Sequence, residues 1–316
     1  MLLLTKTSLT KMQTVHFSQV KKYKKGLSLG IGKFDGVHIG HYTILKAISQ
    51  EAEKNSFVPA VFTFRNFPVE FMLCKWEEKI ALIEKAGIKL CIWCDLPEIS
   101  MMTAEEFLEM LSAINVKKIV VGQNFHFGAG RKGNISLLKN NEDIKNFQLV
   151  VVAPKRINGE IVNSTRIRSF IKNGEIEKAN DFLGRLFFLE GQVVQGKKIG
   201  SLLGFPTANL ALLNPIPISD GIYAGMVRYS NRIYPAVVHI GPSPTFNEKE
   251  KKFEVFIIDF KKPLELYGQT LKVFLFNKIR DIKKFDTEKN LKQQIACDVQ
   301  QAKEIFLTKK VLKPTL

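Results

Sequence analysis

The chain has 316 residues, of which 45% are hydrophobic, and a formal net charge of +17. That length favours two domains over one, and the composition is that of a globular protein with enough apolar material for a core in each. No apolar run reaches the roughly 20 residues that a membrane-spanning helix needs, which excludes a membrane partner of that kind.

In chain order, Met1–Leu4 is apolar but is soon interrupted by Lys6 and Lys11, with no small-residue cleavage site after it. No signal peptide is expected, and the cytoplasm is the expected compartment. Residues 27–34 read as a short Gly-punctuated strand, 41–54 as a helix, and 57–64 as a buried strand. A helix over 77–86 and a strand over 89–94 follow. Residues 103–114 read as a helix that Thr103 caps, with Glu106 in the capping-box position. Strands are expected at 117–122 and 147–153. This alternation predicts a parallel sheet covered by helices on both faces. Two further helices, 164–172 and 175–182, are separated by Asn173-Gly174, a C-terminal stop signal. Beyond Gly184 the texture changes to strands over 186–195, 221–229, 232–240, 253–260 and 270–278. One long helix, 287–307, closes the chain. The fold class is therefore α/β followed by all-β: a Rossmann-like domain over 1–184 and a β-barrel with a terminal helix over 185–316. The first twenty-five residues carry no comparable pattern.

Cys91 and Cys94 form a C-x-x-C inside the apolar run KLCIWCDL. On a strand, residues three apart face opposite sides, so core cysteines are expected rather than a redox or metal pair. The lysines are spread along the chain, which fits a solvated basic surface. The charge suits anionic ligands such as nucleotides. A nucleic-acid groove is the competing view, but no specific nucleic-acid partner is expected because no aromatic-basic cluster accompanies the charge. Self-association is compatible with the sequence.

Two segments carry chemistry. The first, Gly30 to His41 (GIGKFDGVHIGH), joins the first strand to the first helix. Ligands of open α/β sheets bind at such strand ends, where helix N-termini offer free N–H groups. Glycines admit a close phosphate, and two imidazoles in an H-x-G-H spacing can stabilise charge on a transferring phosphorus. Chance histidines at a helix start and a zinc site are the alternatives, the latter lacking a third ligand nearby. Further on, Ser164 and Thr165 precede Arg166 and Arg168 at a helix start, which makes an anion site or an ordinary N-cap. The second segment, Gly191 to Leu210 (GQVVQGKKIGSLLGFPTANL), is a glycine- and lysine-bearing loop running into Pro206-Thr207-Ala208-Asn209. Such a loop can wrap a polyphosphate, and Thr207 and Asn209 offer oxygens to a hard cation such as Mg²⁺. A hairpin loop followed by a Pro-bounded strand is the plainer alternative.

The form G-x-F-D-G-V-H-x-G-H resembles the signature of the bacterial bifunctional riboflavin kinase/FAD synthetases. Gly122 to Gly133 (GQNFHFGAGRKG) resembles that family's flavin-binding loop, and Ser164 to Arg168 its S-T-x-I-R nucleotide turn. Pro206 to Asn209 resembles the P-T-A-N motif of riboflavin kinases. The resemblance implies that His38 and His41 hold ATP phosphates, in a loop with Gly30, Phe34, Asp35 and Gly36. It implies that Ser164, Thr165 and Arg168 close over the triphosphate, and that Asn124, Phe125 and Phe127 meet the flavin, core packing being the alternative for the two phenylalanines. In the second domain it implies Gly196, Lys198, Gly200 and Pro206 around ATP, Thr207 and Asn209 on Mg-ATP, and Glu254 as catalytic base. The implied activity is phosphorylation of riboflavin to FMN and adenylylation of FMN to FAD, with ATP and Mg²⁺. His239 stands where the family usually has asparagine, and Ile282 follows Arg280-Asp281 where Glu is common. These departures motivate an alternative: an adenylyltransferase whose kinase domain only binds flavin. A basic, flavin-responsive nucleic-acid-binding regulator is the third reading.

Overall fold

The computed structural model describes residues 11–197, 199–230, 232–260 and 266–309. The chain divides into two compact units, residues 1–164 and 165–316.

In the first unit, strands β1 (Gln13–His16), β2 (Leu27–Ile31), β3 (Val58–Phe64), β4 (Leu90–Cys94), β5 (Val116–Gly122) and β8 (Gln148–Val152) form one sheet in the order β1-β4-β3-β2-β5-β8. Every pairing in it is parallel. Short hairpins complete the strand set: β6 (His126–Phe127) pairs β7 (Gly133–Asn134), and β9 (Arg156–Ile157) pairs β10 (Glu160–Ile161). The helices are α1 (Ile39–Asn55), α2 (Trp76–Lys85), α3 (Leu96–Ile99), α4 (Ala104–Ala113), α5 (Ile135–Asn140) and α6 (Glu142–Lys145). Alternate strand residues feed two cores, one on each face. Leu27, Leu29, Phe62, Ile92, Cys94 and Val121 join one core, and Val61, Cys91 and Val120 the other. Cys91 and Cys94 therefore do face opposite sides, and burial pushes both thiols up to about 12. Thr103 caps α4 and closes a capping box with Glu106, as the spacing predicts.

Strand β1 lies within the N-terminal segment where no pattern is legible. Four residues are too few to display a period, and pairing with β4 is what makes them a strand. Tertiary contacts supply the rest: Met12 N–H donates to Glu84 Oε1 at 2.7 Å, and Tyr23 packs on the core.

The second unit starts with α7 (Ser164–Asn173), whose first residue still belongs to the first unit, and α8 (Ile176–Leu183). Asn180 on α8 donates to the Leu275 carbonyl and accepts from the Phe187 N–H, which ties this helix to the strands. Six strands close an antiparallel barrel in the order β11-β12-β15-β14-β13-β16. They are β11 (Phe187–Val194), β12 (Ala208–Leu212), β13 (Gly221–Tyr229), β14 (Arg232–Ser243), β15 (Glu248–Ile257) and β16 (Thr270–Arg280). A short helix α9 (Ile199–Leu202) lies between β11 and β12, and α10 (Glu288–Lys309) packs Ala302 and Phe306 on the barrel. Two strands differ from expectation. β12 starts inside P-T-A-N at Ala208, the Pro-bounded strand that is the plainer alternative for that segment, and β15 begins five residues earlier than the expected 253 because the charged run Glu248 to Lys252 pairs with the end of β14. Charge hides a strand whose start is partly solvated.

Candidate active sites

In the first sheet, β2 lies next to β3 on one side and β5 on the other, so the chain order reverses between β2 and β5. Ligand crevices of open α/β sheets form outside the carboxyl ends at such a point. The loop after β2 holds the Gly32 to His38 segment, and the loop after β5 holds Asn124. His38 is the N-cap of α1: its Nδ1 accepts the His41 N–H at 3.2 Å. An accepting Nδ1 leaves the proton of the neutral ring on Nε2, which makes that nitrogen a donor. The His38 and His41 rings stack at 3.6 Å, and Phe34 meets His41 edge-on at 5.3 Å. The histidine pair is thus a built feature, not two unrelated residues.

The loop backbone is strained. Phe34, Gly36 and Val37 all have positive φ, at 46°, 73° and 36°. Glycine suits such a value at 36, whereas at Val37 it is costly, at about 1–3 kcal/mol. Surrounding bonds hold the loop there. Leu73 N–H donates to Asp35 Oδ1 at 3.0 Å, Ser164 Oγ donates to the Asp35 carbonyl at 3.0 Å, and Thr63 Oγ1 donates to the Lys33 carbonyl at 3.2 Å. The structure thereby joins Ser164, 129 residues away in sequence, to the signature loop. Thr165 and Arg168 begin the second unit, on α7. Gly30 lies inside β2, where a Cβ would stand 2.1 Å from Ile48 Cδ1, so helix packing accounts for it. Phe125 and Phe127 stack on each other at 5.5 Å, and both pack on the core, Phe127 also beside Phe107. Asn124 is exposed at the loop surface.

Sequence reasoning missed Lys79. It is 1% exposed on α2, and its Nζ donates to the Phe64 carbonyl at 2.7 Å. Burial pulls its pKa down to about 8, against partial restoration by Cys74, Asp35 and Cys91. Its place one turn before buried Ile83 is the signal that could have found it, since both lie on the inward stripe of the helix.

The barrel gathers the second set. Register places Asn209 on β12 opposite Glu254 on β15, and Glu254 opposite His239 on β14. Side chains in such a row share one face of the sheet. Thr207, His239, Glu254 and Ile282 line one cavity, and Gly196 and Asn209 line a second with Lys197, Lys251 and Lys252. A Cβ on Gly196 would stand 2.0 Å from Asn209 Nδ2, and one on Gly200 3.2 Å from Thr207 Oγ1. At Gly200 a Cβ would also stand 2.4 Å from the Phe205 carbonyl oxygen, so the backbone there leaves no room for a side chain. Lys198 lies outside the described residues, and Pro206 directly precedes Thr207 at the entry to β12. Thr207 and Asn209 fit a hard cation that keeps phosphate oxygens in its shell. Among the described residues no cluster of His, Cys, Asp or Glu could hold a metal by itself. An all-protein metal cage is therefore not what these side chains make.

Comparison with known proteins agrees with this division. A family model described as FAD synthetase matches residues 20–166, and one described as riboflavin kinase matches residues 183–306. A bifunctional riboflavin kinase/FMN adenylyltransferase from Buchnera aphidicola subsp. Schizaphis graminum is 34% identical, over 91% of this chain and 96% of the relative. The chain belongs to the bifunctional riboflavin kinase/FMN adenylyltransferase family. Other members of the family that it resembles come from Haemophilus influenzae, at 33% identity over 89% of this chain and 95% of the relative, and Escherichia coli strain K12, at 32% over 90% and 95%. A solved structure described as a macrolide-efflux protein from Streptococcus pneumoniae superposes with a TM-score of 0.81 at 28% identity, covering 92% of this chain and 98% of that one. No described helix here is long and apolar enough to cross a membrane.

Proposed function

We propose that this chain carries out both ATP-dependent steps of FAD synthesis, with riboflavin, FMN and ATP as its small-molecule substrates. Riboflavin and ATP give FMN and ADP in residues 185–316. FMN and ATP give FAD and pyrophosphate in residues 1–184. That functional boundary lies after α8 because the S-T-x-I-R turn on α7 is assigned to the nucleotide of the first reaction. What supports the proposal is that the His38–His41 pair and the Asn209–Glu254 row fall in the two matched segments, in the same order.

In the first reaction Glu254 takes the proton of the terminal ribityl hydroxyl, whose oxygen attacks the γ-phosphorus of ATP as ADP leaves. Gly196 and Gly200 hold the loop against the phosphates. Thr207 and Asn209 would bind Mg²⁺ with ATP; the ion neutralises phosphate charge. In the second reaction a phosphate oxygen of FMN displaces pyrophosphate from the α-phosphorus. His38 and His41 donate to the phosphate oxygens as charge develops, and no enzyme nucleophile is needed. Asn124 contacts the flavin nucleotide, and a cytoplasmic location follows from the substrates.

The test is chromatography of FMN and FAD formed from riboflavin, ATP and Mg²⁺. Wild type should accumulate FMN and then FAD. Glu254→Gln should lower FMN formation by about 10²–10⁴-fold while leaving FMN-to-FAD conversion intact. His38→Ala should do the reverse, lowering FAD formation by about 10²-fold or more. Conversion of FMN to FAD with no FMN made from riboflavin would select the adenylyltransferase-only alternative, and absence of both products from folded protein would end the enzyme reading.

A further inference from the structure

His239 and Glu254 face one another across β14 and β15, and both line the barrel cavity. His239 Nδ1 is 3.5 Å from Glu254 Oε2, and Nε2 is 3.1 Å from the Pro242 carbonyl oxygen. A carbonyl oxygen only accepts, so Nε2 donates to Pro242, and Nδ1 lies at ion-pair distance from Glu254, a pair that is charged when the ring carries a second proton. The other charged groups on this cavity have partners of their own. Arg280 pairs with Asp298 at 2.7 Å, and Glu248 with Lys197 at 2.7 Å and with Lys252. Lys283, just beyond β16, lies over the Phe285 ring at 5.2 Å. Among the described residues, His239 is the one basic side chain within ion-pair distance of Glu254.

We propose that His239 is a positioning residue for riboflavin phosphorylation. Its Nε2–H is anchored on the Pro242 carbonyl. Its Nδ1–H holds Glu254 Oε2, which turns Oε1 toward the ribityl hydroxyl. The ribityl O–H bond breaks as its proton passes to Oε1. The freed electron pair makes the new O–P bond, and the bridging electrons of the γ-phosphoryl leave with ADP. The ring never touches the reacting atoms. A carboxylate held by one oxygen is pre-aimed, and a base that rotates freely loses rate without losing substrate. This inference rests on the kinase reading with Glu254 as base, and it gives the histidine a role in place of a defect. An asparagine at 239 could do the same work through its amide N–H, with no dependence on protonation.

Steady-state FMN formation by the full chain, in wild type, His239→Leu and His239→Asn, tests this across pH. His239→Leu should lower kcat by about 10–100-fold while KM for riboflavin and for ATP stays within about twofold. His239→Asn should restore most of the wild-type kcat. Wild-type kcat should fall as the imidazole loses its proton, and the Asn variant should not follow that fall. Unchanged kcat in the Leu variant, or a loss expressed in KM alone, overturns the proposal. So does an Asn variant that keeps the wild-type pH profile, and this decides the matter even if the Leu variant does not fold. Wild-type protein that makes no FMN from riboflavin would instead end the kinase reading on which the proposal stands.

Discussion

Lys79 is a cation buried to 1% exposure on α2 of the first unit. Burial lowers its pKa from the usual 10.5 to about 8. Between those values the unfolded chain binds more protons than the folded one, so this group makes stability rise as pH rises from about 8 to 10.5. The full shift corresponds to about 3 kcal/mol. Lys79→Met removes the effect, while every other titrating group stays common to both chains. The stability of Lys79→Met relative to wild type, from urea unfolding at pH 7 and pH 10.5, should therefore decline by about 3 kcal/mol over that interval. An unchanged difference would mean that the lysine is solvated. Helical spacing puts Lys79 on the same stripe as Ile83, but how completely the charge is buried depends on the opposing surface.

Helix α10 is joined to β16 by an ion pair at the cavity wall. Asp298, 2% exposed, accepts from Arg280 Nε at 2.9 Å and Nη2 at 2.7 Å, and from Gln294 Nε2 at 3.0 Å. Removing one partner of such a pair strands the other charge, which costs more than removing both. Asp298→Ala should destabilise the protein by about 3–5 kcal/mol, read by chemical denaturation, and should raise KM for riboflavin because Arg280 lines the same cavity. The double change Arg280→Met with Asp298→Leu should recover much of the stability. A single variant no worse than the double one would remove the anchoring role. The helix itself is legible from its 287–307 pattern, but its partner strand is not, because Arg280 and Asp298 are held together by packing rather than by spacing.

Each compact unit has hydrophobic core clusters of its own. The two half-reactions share one compound, FMN, the product of one and the substrate of the other. Mixing His38→Ala with Glu254→Gln protein should restore FAD synthesis from riboflavin, followed by chromatography, although neither variant makes FAD alone. Failure to complement, with each variant keeping its remaining half-reaction, would mean that FMN does not pass between molecules.

The N-terminal alternation of strands and helices, the capping box at Thr103 and the glycine-rich phosphate loops were determined by local sequence. Periodicity, turn chemistry and short motifs act over a few residues and need no partner. Strand β1 and strand β12 were decided by pairing, as four residues near the N-terminus and a motif segment become strands only against β4 and against β11 and β15. The row Asn209, Glu254, His239 joins positions far apart in the chain, because antiparallel register, not spacing, sets which side chains meet across a barrel. The link from Ser164 to Asp35 and the buried charge of Lys79 were likewise settled by tertiary structure. Burial and long-range hydrogen bonds are properties of two surfaces brought together, and a sequence read one segment at a time presents each surface alone.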